Sequence, residues 1–266
     1  MFGPLTEEEN ARFERLPMVS RARGNRLYCV DGTRWLDCWA DGGRALAGHR
    51  PKGVSLRLKN EIDRGLYAPY PSLWERRLEK ALLRLFPGYE EARLYGSAER
   101  AVRLLGLDGM PRDPLDLPPG TAGTPCVDKA LWGRPGLPDH PRAGILFPIP
   151  PLPGLSEAQS VLFADAADAA RLPPSDRISP MVAAAITRSC GAVREEKAPQ
   201  ETFPAEIWDR RGPYMLFRGD ESAYGRVFEA LFSRRILIAP SRNRPSVFPM
   251  DLSAKEASVL AMGGSR

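Results

Sequence analysis

Apolar residues recur along this chain with two spacings, and the switches between them outline an α/β protein. A helical period runs over 6–16, where Thr6 can cap and Glu7, Glu8 and Glu9 sit at the positive end of the helix dipole. Over 26–39 two β-prone runs flank Asp31-Gly32, which predicts a hairpin closed by a type I′ turn with positive φ at both positions. Leucines at 78, 82, 83 and 85 among alternating charges predict an amphipathic helix over 74–86, stopped by Pro87-Gly88. A short strand over 91–95 and a helix over 98–107 follow.

Between 108 and 143 the pattern is lost. Proline and glycine are too dense there for regular helix or a central strand, and a loop or loosely ordered excursion is expected. The runs at 144–150 and 160–165 are then apolar without alternation, as in strands of a sheet covered on both faces. The apolar stretch at 180–187 reads as a third such strand. A strand over 214–217, a helix over 221–233 and a strand over 235–239 come next. A final helix over 253–262 opens with Ser253 and Glu256 at capping-box spacing.

Composition narrows the function classes. The 266 residues are 43% hydrophobic and 27% charged, as in an ordinary globular protein. The net charge of +5 is spread along the chain without a dense basic block, which argues against nucleic acid as a partner. Cys29, Cys38, Cys126 and Cys190 are scattered, with no CxxC pair and only His49 and His140 beside them, so reduced core thiols are expected and no metal site. No run approaches the roughly 20 apolar residues that cross a bilayer, and the first residues lack the features of a signal peptide. No membrane partner and a cytoplasmic location are therefore expected.

Both ends of the chain carry a family likeness. The hairpin from Leu27 to Cys38, with Gly43 and the turn Gly48-His49-Arg50-Pro51, resembles the N-terminal segment of class III aminotransferases. The stretch from Tyr224 through Pro240-Ser241, Phe248 and on to Glu256 resembles the tail of glutamate-1-semialdehyde aminotransferases, and 214–217 resembles the strand opening their C-terminal domain. The resemblance implies the fold type I architecture of pyridoxal-phosphate enzymes. It divides the chain into 1–75 and 198–266, which together form a small α+β domain, and 76–197, a trimmed large domain with a mainly parallel sheet. It also implies a homodimer, or a heteromer with a related aminotransferase.

In the middle the likeness is eroded. Leu94 to Ala101 resembles the family's Ser-Gly-x-Glu turn, with Gly96-Ser97 in reversed order and Arg100 in place of Ala. By the resemblance Gly96, Ser97 and Glu99 would cradle the cofactor phosphate at a helix start; plain helix capping is the competing reading. Val161 to Asp165 resembles the strand whose aspartate pairs with the pyridine nitrogen. Asp165 is either that partner or a strand-end residue capping the next turn. Phe147 stands where the family has Glu, Ala166 replaces another Glu, and the aromatic-His-Gly segment expected between 101 and 143 is missing.

The lysine that would form the Schiff base should lie near Pro173, shortly before 178–188. No lysine occurs between Lys129 and Lys197. Lys197 is the one rescue candidate, and it sits in a charged stretch rather than the desolvated setting such an amine requires. His49 in its Gly-His-Arg-Pro turn reads as structural. Three functions remain open at this level: a catalytically inactive aminotransferase-like protein with a scaffolding or regulatory role, an active minimal transaminase or aminomutase, and a protein-binding module using the Pro-rich 108–143 segment.

Overall fold

The computed structural model describes residues 5–118, 128–138, 140–154, 158–195, 207–249 and 251–262, and divides into two compact units. One unit combines Met1–Arg50 with Glu196–Arg266, and the other is Pro51–Glu195. Among the described residues no helix is long and apolar enough to cross a membrane.

In the unit built from both termini, Val19–Arg23, Arg26–Cys29 and Arg34–Asp37 pair antiparallel, and Ile236–Leu237 adds to the last of them in parallel. A second antiparallel sheet joins Ser246–Val247, Tyr214–Phe217 and Trp208–Arg211. Helix Glu221–Phe232 buries Tyr224, Phe228 and Leu231 with Leu36, Trp208, Met215 and Ile236. The first helix, Glu7–Glu14, is capped by Thr6 as its sequence predicts, Thr6 Oγ1 accepting from Glu9 N–H; the structure adds the reciprocal bond, in which the Glu9 carboxylate accepts from Thr6 N–H. Ser253 and Glu256 repeat that device at Ala254–Met262.

The hairpin forms with a different turn. Gly32 has φ 81°, but Asp31 is absent from the positive-φ residues. Gly32 N–H donates to Cys29 O and Cys29 N–H to Thr33 O, which is a type I turn followed by a left-handed glycine rather than type I′. The Asp31 carboxylate accepts from both the amide and the hydroxyl of Thr33, which holds Asp31 right-handed. The strand expected at 235–239 is reduced to two paired residues, Ile236–Leu237.

The second unit corrects three expectations. The stretch at 180–187 is not a strand but the start of helix Pro180–Glu195. A short apolar run has no decisive period, and three successive alanines, 183 to 185, favour helix once the segment extends to 16 residues. Its apolar face packs with helices Val54–Asp63 and Leu73–Leu85 around Leu78, Leu82, Leu94, Leu131 and Leu162. The sheet is mixed rather than mainly parallel. In the order Glu91–Tyr95, Gln159–Phe163, Ile145–Pro148, Ala130–Gly133, only the last pairing is parallel.

The described part of 108–143 is not loose. Ala130–Gly133 forms a fully buried edge strand. Its prolines fall where they are tolerated: Pro114 opens a 3₁₀ turn capped by Asp113, and Pro111 and Pro135 lie outside the strand. Buried Arg134 donates to both Asp113 oxygens, at 2.8 and 2.5 Å, and clamps the segment onto the sheet edge. Burial raises the Asp113 carboxyl, but the Arg134 hydrogen bond and charge with the Leu115 amide outweigh it and hold it below its ordinary value.

Candidate functional site

The residues expected to grip a cofactor sit on two neighbouring strands. Glu91 pairs with Phe163 and Tyr95 with Gln159, so the two strands run antiparallel. Asp165 lies just past the Phe163 end, and Gly96, Ser97 and Glu99 just past the Tyr95 end. Those positions are separated by the full length of the paired strands, about 20 Å at roughly 3.3 Å per residue. The structure does not bring the two halves of the expected site together. Parallel strands would have placed both at one edge of the sheet.

Each half has a local partner already. Asp165 is exposed and caps helix Ala166–Ala170, its carboxylate accepting from Ala167 N–H at 2.8 Å. At the other end Ser97 caps Ala98–Leu104 by accepting from Arg100 N–H at 3.1 Å. Glu99 is exposed and turns back on its own amide and the Ser97 hydroxyl, which lower its pKa. The anion at this turn is Asp176. Gly96 N–H donates to it at 3.0 Å, and Arg100 holds both its oxygens at 2.6 and 2.8 Å. The Arg100 hydrogen bond lowers the Asp176 pKa against the opposing effect of burial, and Gly96 N–H adds to it. Asp176 N–H also donates to Leu94 O, so 175–176 run along the free edge of the Glu91–Tyr95 strand.

The departure of Arg100 from the family pattern thus acquires a physical role. It recruits an internal carboxylate to the place where the resemblance puts a phosphate. Sequence reading marked the substitution but not its partner, which lies 76 residues away. Phe147 is fully buried and packs edge-on against Trp132 at 5.7 Å.

Lysines complete the test of fit. Lys52, Lys59, Lys80, Lys129 and Lys255 are all exposed, and Lys197 lies outside the described residues. Pro173, near the expected lysine position, is exposed as well. A Schiff-base lysine needs a partly desolvated amine, and none of the five described lysines has that setting. The described residues do not fit a Schiff-base-linked pyridoxal phosphate.

His49 takes its structural part. Its Nε2 lies 2.6 Å from Asp37 Oδ2, while Asp37 Oδ1 accepts from the amides of Trp39 and Ala40. Gly48, at φ 75°, lets the chain pass Gly24 so closely that an added Cβ would sit 2.9 Å from its backbone. Cys29, Cys38 and Cys190 are buried and unpaired, whereas Cys126 lies outside the described residues. No three His, Cys, Asp or Glu side chains meet as a metal cluster among the described residues.

No family model matches the chain. An uncharacterized protein of Treponema pallidum is 27% identical over 289 residues, covering 88% of this chain and 90% of that one. A glutamate-1-semialdehyde 2,1-aminomutase of Heliobacterium modesticaldum is 37% identical over 83 residues, which is 31% of this chain but only 19% of the aminomutase. An ω-transaminase from Sphaerobacter thermophilus matches the fold at a TM-score of 0.65 and 12% identity, over 93% of this chain and 89% of that one. An ornithine aminotransferase from Plasmodium yoelii matches at 0.62 and 10%, over 96% of each.

Proposed function

Since this chain is a shortened relative of the class III pyridoxal-phosphate aminotransferases, with their fold type I α/β architecture, we propose that it is a catalytically inactive homologue with a scaffolding or regulatory role. The lysine distribution carries this reading. The 67 positions from 130 to 196 contain none, and the five described lysines are all solvated. Without that amine the protein has no covalent anchor for the cofactor and no base at the substrate Cα. The separation of Asp165 from Gly96 and Ser97, and the occupation of the latter turn by Asp176, argue the same way.

The role that remains is one of surface. Leu56, Ile62, Tyr67, Tyr70 and Leu73 are exposed within a single 18-residue stretch of one unit. A second copy of this chain or a related aminotransferase is the partner this reading assigns to them.

The test uses full-length protein incubated with pyridoxal phosphate, reduced with borohydride and digested for mass spectrometry. The expected result is no stoichiometric pyridoxyl-lysine and no amine transfer from an amino donor. Asp165→Ala is expected to leave any reversible cofactor affinity unchanged. A stoichiometric adduct on Lys197, lost in Lys197→Ala together with amine transfer, would mean that this is an active minimal transaminase.

A further inference from the structure

We infer that Arg34, Arg234, Arg235 and Lys255 form a binding site for a small, multiply charged anion of the phosphate class. Three segments distant in sequence bring these four cations to one cavity of about 290 Å3, whose polar lining is completed by Ser253 and Glu256. That volume is at the lower end of ligand pockets, suited to a phosphate or diphosphate group with a short organic stub rather than a whole nucleotide.

All four side chains are exposed, so solvent weakens their mutual repulsion without removing it, and a counter-charge in the cavity would relieve the rest. The carboxylates nearby do not supply it. Glu256 is engaged by Arg26, whose Nε and Nη2 donate at 3.2 and 2.7 Å, and by the Ser253 amide and hydroxyl. Its separation from Arg34 is 3.9 Å, the outer limit of an ion pair. Asp251 is held by the same Arg26 at 2.6 Å. Asp31 lies within electrostatic reach of Arg235, but its hydrogen bonds go to Thr33. Among the described residues Arg234, Arg235 and Lys255 form no salt bridge.

The backbone gives an independent indication. Arg235 follows helix Glu221–Phe232 in the left-handed region, at φ 63°, with its N–H donating to Phe232 O. Glycine takes that position without strain, whereas any Cβ is penalised. An arginine kept at a strained helix end, exposed beside three other cations on the same cavity, carries a backbone cost that the proposed anion contact would account for.

Isothermal titration of the full-length protein with inorganic phosphate and with pyrophosphate tests this, with sodium chloride at matched ionic strength as the control. Saturable one-to-one binding is expected, tighter for pyrophosphate and absent for chloride. Arg34→Gln and Lys255→Gln should each weaken pyrophosphate binding about 10-fold or more, the loss of one charge-assisted contact. Arg235→Gly separates binding from folding. Relief of the left-handed strain should raise the melting midpoint by about 2–4 °C, while binding weakens by a similar factor of about 10. No saturation in the parent protein, or binding within twofold of it in all three variants, overturns the assignment. Co-sedimentation with phosphatidylcholine vesicles, with and without a phosphoinositide, separates the sources of the anion. Pelleting that needs the phosphoinositide and is lost in Arg235→Gly assigns a lipid headgroup; soluble binding alone assigns a phosphorylated metabolite.

Discussion

Glu9 ties the first helix to a loop more than 200 residues later in the same unit. One carboxylate oxygen accepts from Thr6 N–H at 2.9 Å, and the other from Ser241 Oγ and Arg244 Nε at 2.6 and 2.8 Å. Burial raises the acid's pKa, but the hydrogen bonds from Arg244, Ser241 and Thr6 outweigh it and bring the value down from 4.5 to about 2. A carboxyl whose pKa falls on folding stabilises above its unfolded value, and that stability is lost as pH drops through the folded one. The window therefore runs from about pH 4.5 down to about 2, and the full span is worth about 3 kcal/mol. Glu9→Gln is expected to lower unfolding stability by about 2–3 kcal/mol at pH 7 and by much less near pH 2.5. Denaturant titrations at both pH values measure this, and an equal loss at each would refute the electrostatic account. Half of this arrangement was legible in sequence. Thr6 and Glu9 stand at capping-box spacing, whereas Arg244 reaches Glu9 only through the fold.

At the scale of elements, legibility followed the strength of the local signal. Caps were readable because they are decided within four residues, and Thr6 and Ser253 both cap the helices expected of them. The 108–143 segment was misread because its prolines describe the turns around the strand, while a buried ion pair fixes the strand itself. The run at 180–187 was ambiguous because alanine and isoleucine fit a buried helix as well as a buried strand. The cofactor turn and the aspartate strand were individually recognisable. Their separation was not, since strand direction is set by sheet assembly rather than by either segment. Helical glycines offer a test of the corrected assignment. Gly191 and Gly225 sit inside Pro180–Glu195 and Glu221–Phe232, and a Cβ at Gly225 would meet nothing within 4 Å. At Gly191 it would meet only Arg188 Nη1, at an ordinary 3.7 Å. Alanine at either position should stabilise by roughly 0.5–1 kcal/mol through the entropy glycine loses in a helix. Gly48→Ala should do the opposite, since its positive φ and the Gly24 backbone both oppose a Cβ. Thermal unfolding of the three variants decides the signs, and a destabilised Gly191→Ala would count against the helix.

For the whole molecule, the chain has a fold seen in transaminases. Asp165 and Ser97 serve as helix caps, and Phe147 lies in the core. Under the proposed reading the role lies at the surface, which makes the exposed apolar stretch from Leu56 to Leu73 the feature to test. Tyr70 and Leu73 are 64% and 69% exposed, and both can be changed without opening a cavity in the core. If a second copy covers them, sedimentation velocity should show a dimer whose population rises with concentration, and Tyr70→Glu with Leu73→Glu should shift it to monomer. The melting midpoint of the double variant, measured at a concentration where the parent is monomeric, should stay within about 2 °C of the parent's, because surface substitutions of this kind move stability by no more than about 0.5 kcal/mol. A related aminotransferase as partner gives a different pattern. The parent protein is then monomeric at every concentration, and a mixed species forms only when the enzyme is added, again lost in the double variant. A chain that stays monomeric alone and in that mixture would leave the apolar stretch without a binding role and remove the scaffolding part of the proposal.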